Sequence, residues 1–303
     1  MIPFKKLDLA QREVIHSYLF HSGRQGCENA YANLFLWGRQ KAAVQDGYLL
    51  RLSQFDRKTV YPFPVGQGDL KAALDAIIHD AAARGIPCCL ATMTKEDCDL
   101  VEQLYPGAFR FYSDRDSFDY VYAIDDLADL KGRKYQKKRN HLNRFRQEHP
   151  DAKIVPLDES TRVEAFLLAQ QWYQSRCAAD PDRDYHLEQL ALNRAFAFWQ
   201  QLDMEGVVLM EHGKAQAFAM GSRLTEDTFD IHFEKAVEIA DGAYAAVNQG
   251  FAYHLREKYP QVKWLNREDD LGLEGLRKAK LSYYPDHMVE KYWARLWEEE
   301  DDR

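Results

Sequence analysis

The pattern of elements expected in the first half of the chain recurs in the second at an offset of about 175 residues, and that recurrence restricts the fold more than composition does. Asp69 offers a carboxylate to the free amides of a helix that runs to about Arg84 and ends at Gly85. Its counterpart is the helix from Ala243 to Tyr259, stopped by Pro260. Apolar, strand-like runs follow both, Ile86–Thr92 in one half and Val262–Asn266 in the other. Helices then begin near 95, capped by Thr94, and near 273, and closing strands span Ser117–Ile124 and Met288–Leu296. The preceding segments agree. Ala43–Arg51 and Lys58–Phe63 read as strands around a Ser-Gln-Phe-Asp-Arg turn. Gly206–Met210, Ala215–Leu224 and Thr228–Glu234 match them, the first two joined at His212-Gly213. Side-chain identity between the halves is low, so the repeat is one of structure. The expected fold is α+β: two tandem units, each a mixed antiparallel and parallel sheet flanked by helices. Residues 1–129 form the first unit and 151–303 the second, which begins with a helical pair at Thr161–Ala178 and His186–Gln201.

Composition supports a globular chain: 46% of residues are hydrophobic and 29% charged. No apolar run approaches the roughly 20 residues that cross a bilayer, and Met1–Lys6 lacks the apolar core of a signal peptide. Cys27, Cys88, Cys89, Cys98 and Cys177 follow neither a zinc-site spacing nor a disulfide framework. A reduced, cytoplasmic protein is expected, with no metal. The net charge of −8 excludes a uniformly nucleic-acid-coating surface.

One segment departs from that average. Lys131–Arg146 holds eight Lys or Arg and no acid, within the connecting segment 130–150. On a helix, Tyr135, Leu142 and Phe145 share one side, with Arg133, Lys137 and Arg144 opposite. Lys137, Lys138, Arg139 and Arg144 are the candidates for contact with phosphates. The competing reading is a solvated helix balanced by the acids before it, Asp114, Asp116, Asp119, Asp125, Asp126 and Asp129.

The element order resembles the GNAT acyltransferase fold. Three blocks, Asn29–Trp37, Lys131–Phe145 and Asn266–Lys280, resemble the stand-alone branch of the phosphatidylglycerol lysyltransferase C-terminal-domain family over nearly the whole chain. The resemblance implies a tandem GNAT fold related to the aminoacyl-tRNA-dependent Fem transferases. In the lysyltransferases that pair of domains moves an aminoacyl group from tRNA to a lipid head group. The implied activity here is acyl or aminoacyl transfer to an amine or hydroxyl of a small-molecule acceptor. The donor would be an acyl-CoA or an aminoacyl-tRNA, which makes tRNA a candidate partner. Without a spanning segment, nothing in the sequence supports contact with a membrane surface.

In a GNAT fold the strand ending here at Asn266 splays from its predecessor, and the donor's linear arm lies between them. Asp230, His232 and Glu234 alternate with Phe229, Ile231 and Phe233 on that predecessor, so all three polar groups are expected on one face, toward the cleft. Acyl transfer needs a base and a stabilised oxyanion. Glu234, Glu268 and Asp269 are candidate bases, and Tyr284 (or Tyr283) the candidate proton donor to the leaving group. Arg277 and Lys278 could offset charge, and Asn266, Asp230 and His232 complete the substrate-binding set. Glu268–Asp270 would also suit the positive end of the following helix. Asp241-Gly242-Ala243 is the nearest approach to a pyrophosphate loop, and Asp241 would repel a phosphate, which favours aminoacyl-tRNA over coenzyme A. The rival to an enzyme is a non-catalytic module that binds a metabolite or RNA. Cys88-Cys89 and most of the tryptophans read as core. Glu28, Asn29 and Asn33 could line a pocket facing the second unit.

Overall fold

The computed structural model of the chain describes residues 1–303 except 56–57, 182–183, 238–241 and 298–303. Asp241, the acidic tail from Glu298 and part of the expected Ser53–Arg57 turn therefore lie outside the described residues. In the first half, strand β1 (Lys5–Lys6) precedes helices α1 (Arg12–Phe20) and α2 (Tyr31–Trp37). Strands β2 (Gln40–Gln45), β3 (Tyr48–Phe55), β4 (Lys58–Pro62) and β5 (Val65–Gly66) follow. Then come α3 (Leu70–Arg84), β6 (Cys89–Met93), α4 (Lys95–Leu104), β7 (Phe109–Ser113), β8 (Asp119–Ala123) and α5 (Ile124–Asp129). The basic helix α6 (Gln136–Glu148) leads to β9 (Lys153–Pro156), α7 (Arg162–Ala179) and α8 (His186–Ala197). The second half continues with β10 (Glu205–Glu211), β11 (Lys214–Arg223), β12 (Thr228–Ala236) and α9 (Ala243–Lys258). It ends with β13 (Trp264–Asn266), α10 (Glu274–Leu281), β14 (His287–Val289) and β15 (Tyr292–Leu296).

The local signals work as their chemistry dictates. The Asp69 carboxylate accepts from Ala72 N, and Gly85 closes α3 in the left-handed region. Thr94 and Asp97 form a reciprocal capping box at the start of α4. One turn differs from expectation. Ala43–Arg51 is not one strand, because Asp46-Gly47 reverses the chain between β2 and β3 with φ of 50° and 81°.

The strands form two sheets. One runs β1-β2-β3-β4-β6-β15-β7, with β5 on β3; the other runs β14-β8-β13-β12-β11-β10-β9. The expected single strand Met288–Leu296 is thus two, divided between the sheets. Each half gives up its last strand. β8 enters the second sheet between β13 and β14, and β15 enters the first between β6 and β7. A division at 129 and 151 leaves one strand of each unit in the other's sheet, because local patterning specifies a strand and not its partner.

Helices α3 and α4 cover the first sheet through Leu74, Ile77, Cys98 and Val101. Helices α5, α6 and α9 cover one face of the second through Leu127, Leu142, Phe145 and Phe251. Its other face joins the halves, where Leu19, Leu34 and Leu36 pack with Leu168, Leu192, Phe196 and Phe218.

Candidate functional site

Parallel strands β12 and β13 pair at only three positions, Thr228↔Trp264, Phe229↔Leu265 and Asp230↔Asn266. β12 then continues to Ala236 while the chain beyond Asn266 turns away, so the strands part at Asp230 and Asn266. A bulge lies just past that point. Met220 pairs with Phe233 but the next residue, Gly221, pairs with Ile231, leaving His232 as the extra residue. Gly221 permits this, since a Cβ there would fall 2.0 Å from Asp230 O. The bulge also corrects the expected alternation. Phe229 and Ile231 face α9 but Phe233 faces the opposite core, and Glu234 turns to the α9 side, away from Asp230 and His232.

On the face toward α2, a buried polar cluster assembles. Asp230 is 0% exposed, and neither carboxylate oxygen has a hydrogen-bond partner. Burial and then the neighbouring Glu268 push its carboxyl well above the usual range. His232 Nδ1 lies 3.2 Å from Glu268 Oε1 and 3.4 Å from Asp230 Oδ2, while Nε2 lies 2.9 Å from Ser222 Oγ. Asn33 Nδ2 on α2 donates to Glu268 Oε1 at 3.0 Å. Beside them, Lys291 Nζ donates to Asp119 Oδ1 at 2.7 Å, pairs with Glu28 Oε2 at 2.9 Å and lies 3.4 Å from Cys27 Sγ. Burial alone would lower the Lys291 ammonium, but Asp119, Cys27 and Glu28 outweigh it and hold it well above its ordinary value. The same burial, with Asp119, pushes the Cys27 thiol up, so it is no ready nucleophile. Asp119 opens β8 and Lys291 precedes β15, so this ion pair sits where the exchanged strands cross.

The loop after β13 is held from both sides. Asn266 is spent on structure: its Nδ2 donates to Gln25 O and Asp119, and its Oδ1 accepts from Glu268 N at 2.6 Å. Glu268 adopts a φ of 57°, a costly conformation for a residue with a Cβ. Lys280 Nζ holds it there by donating to the carbonyls of Arg267, Glu268 and Asp269. Asp270 is fully buried and accepts from Tyr120 Oη, Gly272 N and Arg277. Arg277, first among these, holds its carboxyl far below the usual range. Among the described residues the Asp269 carboxylate accepts no hydrogen bond, and burial, against the pull of Lys291, raises it to about 6.

On the α9 side, Arg267 crosses the opening between the strands to Glu234, with Nε at 3.1 Å from Oε2. Asn248 Nδ2 also donates to Glu234, at 3.0 Å. Lys138 stands 3.9 Å above the Tyr283 ring, which Arg267 approaches at 5.0 Å. Burial and then Arg267 lower the Lys138 ammonium to about 8.

The candidates therefore separate. Asp230, His232 and Glu268 converge, with Asn266 and Asp269 adjoining. Glu234 belongs to a second group with Arg267. Arg277 is tied to Asp270 and Asp116, exposed Lys278 pairs with Glu274, and Tyr284 is half-exposed, edge-on to Tyr135. On α6, Arg139 donates to the carbonyls of Leu130 and Gly132, Lys138 faces the second group, and Lys137 and Arg144 lie on the exposed face. Sequence reasoning passed over Asp119, Lys291, Ser222, Lys280 and Arg267. Only Glu28 and Asn33 carried a signal, as polar residues inside an otherwise apolar block.

Two mixed sheets flanked by helices, with strands parting over a polar cluster, define a tandem GNAT-like protein. The chain belongs to the phosphatidylglycerol lysyltransferase C-terminal domain family, whose pattern matches residues 21–295. A conserved protein of unknown function from Bacteroides thetaiotaomicron is 38% identical, covers 98% of this chain and 100% of its own, and superposes with a TM-score of 0.93. L-PGS from Bacillus licheniformis shares the fold at 16% identity and a TM-score of 0.69, over 97% of this chain and 94% of that one. An uncharacterized protein of Mycoplasmoides gallisepticum is 27% identical over 188 residues, 59% of this chain and 56% of that protein's length. The family takes its description from an aminoacyl transferase, phosphatidylglycerol lysyltransferase. Among the described residues, no helix is long and apolar enough to cross a membrane.

Proposed function

We propose that the chain transfers an aminoacyl group from an aminoacyl-tRNA to an amine or hydroxyl acceptor. The observation that carries this reading is the parting of β12 and β13 after three pairs, with the unencumbered Asp269 carboxylate three residues beyond Asn266. A donor arm laid in that opening presents its ester carbonyl to an acceptor entering beside Asp269. Asp269 takes the acceptor's proton, the new bond forms at the carbonyl carbon, and the ester C–O bond breaks as Asp269 returns that proton to its oxygen, which leaves as a ribose hydroxyl. Lys138 sets positive charge on the α9 side for the donor's phosphates, while Arg267 is already paired with Glu234. Aminoacyl-tRNA is preferred to acyl-CoA for a packing reason. Gly242, which opens α9 where a pyrophosphate would sit, packs against α6: a Cβ on it would fall 2.9 Å from Phe145 Cβ and 3.3 Å from His141 O.

The test supplies the chain with tRNAs charged with labelled amino acids, or with labelled acyl-CoAs, and a panel of amines and hydroxyl compounds. Label should move from tRNA to an acceptor, and Asp269→Asn should slow that transfer by about 10²-fold or more while leaving the fold intact. Transfer at the wild-type rate in Asp269→Asn would remove the base assignment. Binding of tRNA without transfer from any donor would leave the binding-module reading in its place.

A further inference from the structure

We propose that Asp230, His232 and Glu268 bind a divalent first-row metal ion, through one carboxylate oxygen of each acid and Nδ1 of the imidazole. The starting point is Asp230. A carboxylate with no exposure and no donor on either oxygen calls for a counterpart. The nearest donor cannot supply it, because a single Nδ1–H directed at Glu268 Oε1, 3.2 Å away, is not also available to Asp230 Oδ2 at 3.4 Å. The three atoms lie within 4.8 Å of one another.

Spacing selects the kind of cation. Ligands about 2.1 Å from one metal ion stand about 3.0 Å apart at octahedral angles and about 3.4 Å apart at tetrahedral angles. The two measured edges fall in that interval. Acceptors around an ammonium, each about 2.8 Å from nitrogen, would stand about 4.6 Å apart. An imidazole with two carboxylates suits Zn²⁺ best and Mn²⁺ next, while Mg²⁺ favours an all-oxygen shell. The outer contacts are those that orient metal ligands: Nε2 faces Ser222 Oγ at 2.9 Å, and Asn33 Nδ2 donates to Glu268 Oε1 at 3.0 Å. Lys291, the neighbouring buried cation, is engaged by Asp119 and Glu28. Glu268, with 20% of its side chain exposed, marks the way in. The expectation of no metal rests on cysteine spacing; here two ligands sit at i and i+2 on a bulged strand and the third 36 residues on, a spacing that matches no motif.

This inference does not rest on the transferase reading, and its test needs no turnover. The full chain, stripped with a chelator, is titrated calorimetrically with ZnCl₂, MnCl₂ and MgCl₂ in turn, and its bound metal is measured by elemental analysis. The expected result is one Zn²⁺ or Mn²⁺ per chain, with affinity lowered at least about tenfold in Asp230→Asn and in Glu268→Gln, and less in Ser222→Ala. Glu268→Gln, at the rim, carries the comparison if the buried Asp230→Asn does not fold. No uptake by the wild-type chain, or equal affinity in wild type and Glu268→Gln, would overturn the proposal. So would a melting temperature raised by ethylammonium and unmoved by every metal, which would give the pocket to an ammonium group.

Discussion

Replacing Lys291 with Met removes the ammonium that Asp119 and Glu28 share, at 2.7 and 2.9 Å, in a place where only 8% of the lysine side chain meets solvent. Two unit charges that close attract by about 6 kcal/mol at an effective dielectric of 20, and much of that offsets the cost of taking them out of water. The variant keeps the desolvation and loses the attraction, leaving Asp119, with no exposure at all, without its counter-charge. A cost of about 3–5 kcal/mol follows. Urea unfolding reads it directly: with a slope near 3 kcal/mol/M, the midpoint should fall by about 1–1.7 M. Because each sheet holds a strand of the other half, a single transition is expected. Adding Asp119→Asn should recover part of the loss, with a coupling of about 2 kcal/mol in the double-mutant cycle. A Lys291→Met chain within about 0.5 kcal/mol of wild type, or single costs that simply add, would refute the view that this pair is a desolvated, mutually dependent unit.

Two further outcomes accompany the Asp269 and metal-binding experiments. Lys138, lowered to about 8 by burial and Arg267, loses its charge as pH rises through that value. Filter binding of bulk tRNA should therefore weaken between pH 7 and pH 9 more in wild type than in Lys138→Arg, which stays charged; identical profiles would take Lys138 out of the contact. Gly242→Ala asks a Cβ to tolerate a φ of 99° and a 2.9 Å approach to Phe145, so the melting temperature should drop by at least about 3 °C, and an unchanged value would show that α6 gives way there.

What could be read from sequence were features written in neighbouring residues. Asp69 and Gly85 bracket α3, Thr94 caps α4, and His212-Gly213 turns β10 into β11 with both residues at positive φ. The half-chain repeat was legible for the same reason, since each element carries its own period. The bulge at His232 was not, because one extra residue leaves the alternation of Asp230, His232 and Glu234 intact on paper while reversing the face of Glu234 in space. Charge type was legible, but partner was not. Arg277 and Arg139 looked like cations waiting for a substrate, and the fold spends them on Asp270 and on the carbonyls of Leu130 and Gly132. Asp119 read as one acid among six. Only the crossing of β8 with the segment before β15 gives it Lys291 as a partner.

That crossing also sets an order on assembly. Between β6 and β7 the first sheet carries a vacancy that only a segment about 180 residues further along the chain can fill, so its inner edges stay unpaired until the second half is in place. The second sheet borrows β8 from a segment that precedes every other strand in it. Neither half is a separable module, then, and a chain cut between them would yield two sheets each missing an interior strand. The duplication visible in the element order has become a mutual dependence: substitutions that loosen β15 are felt first in the half of the molecule to which, by sequence, it does not belong.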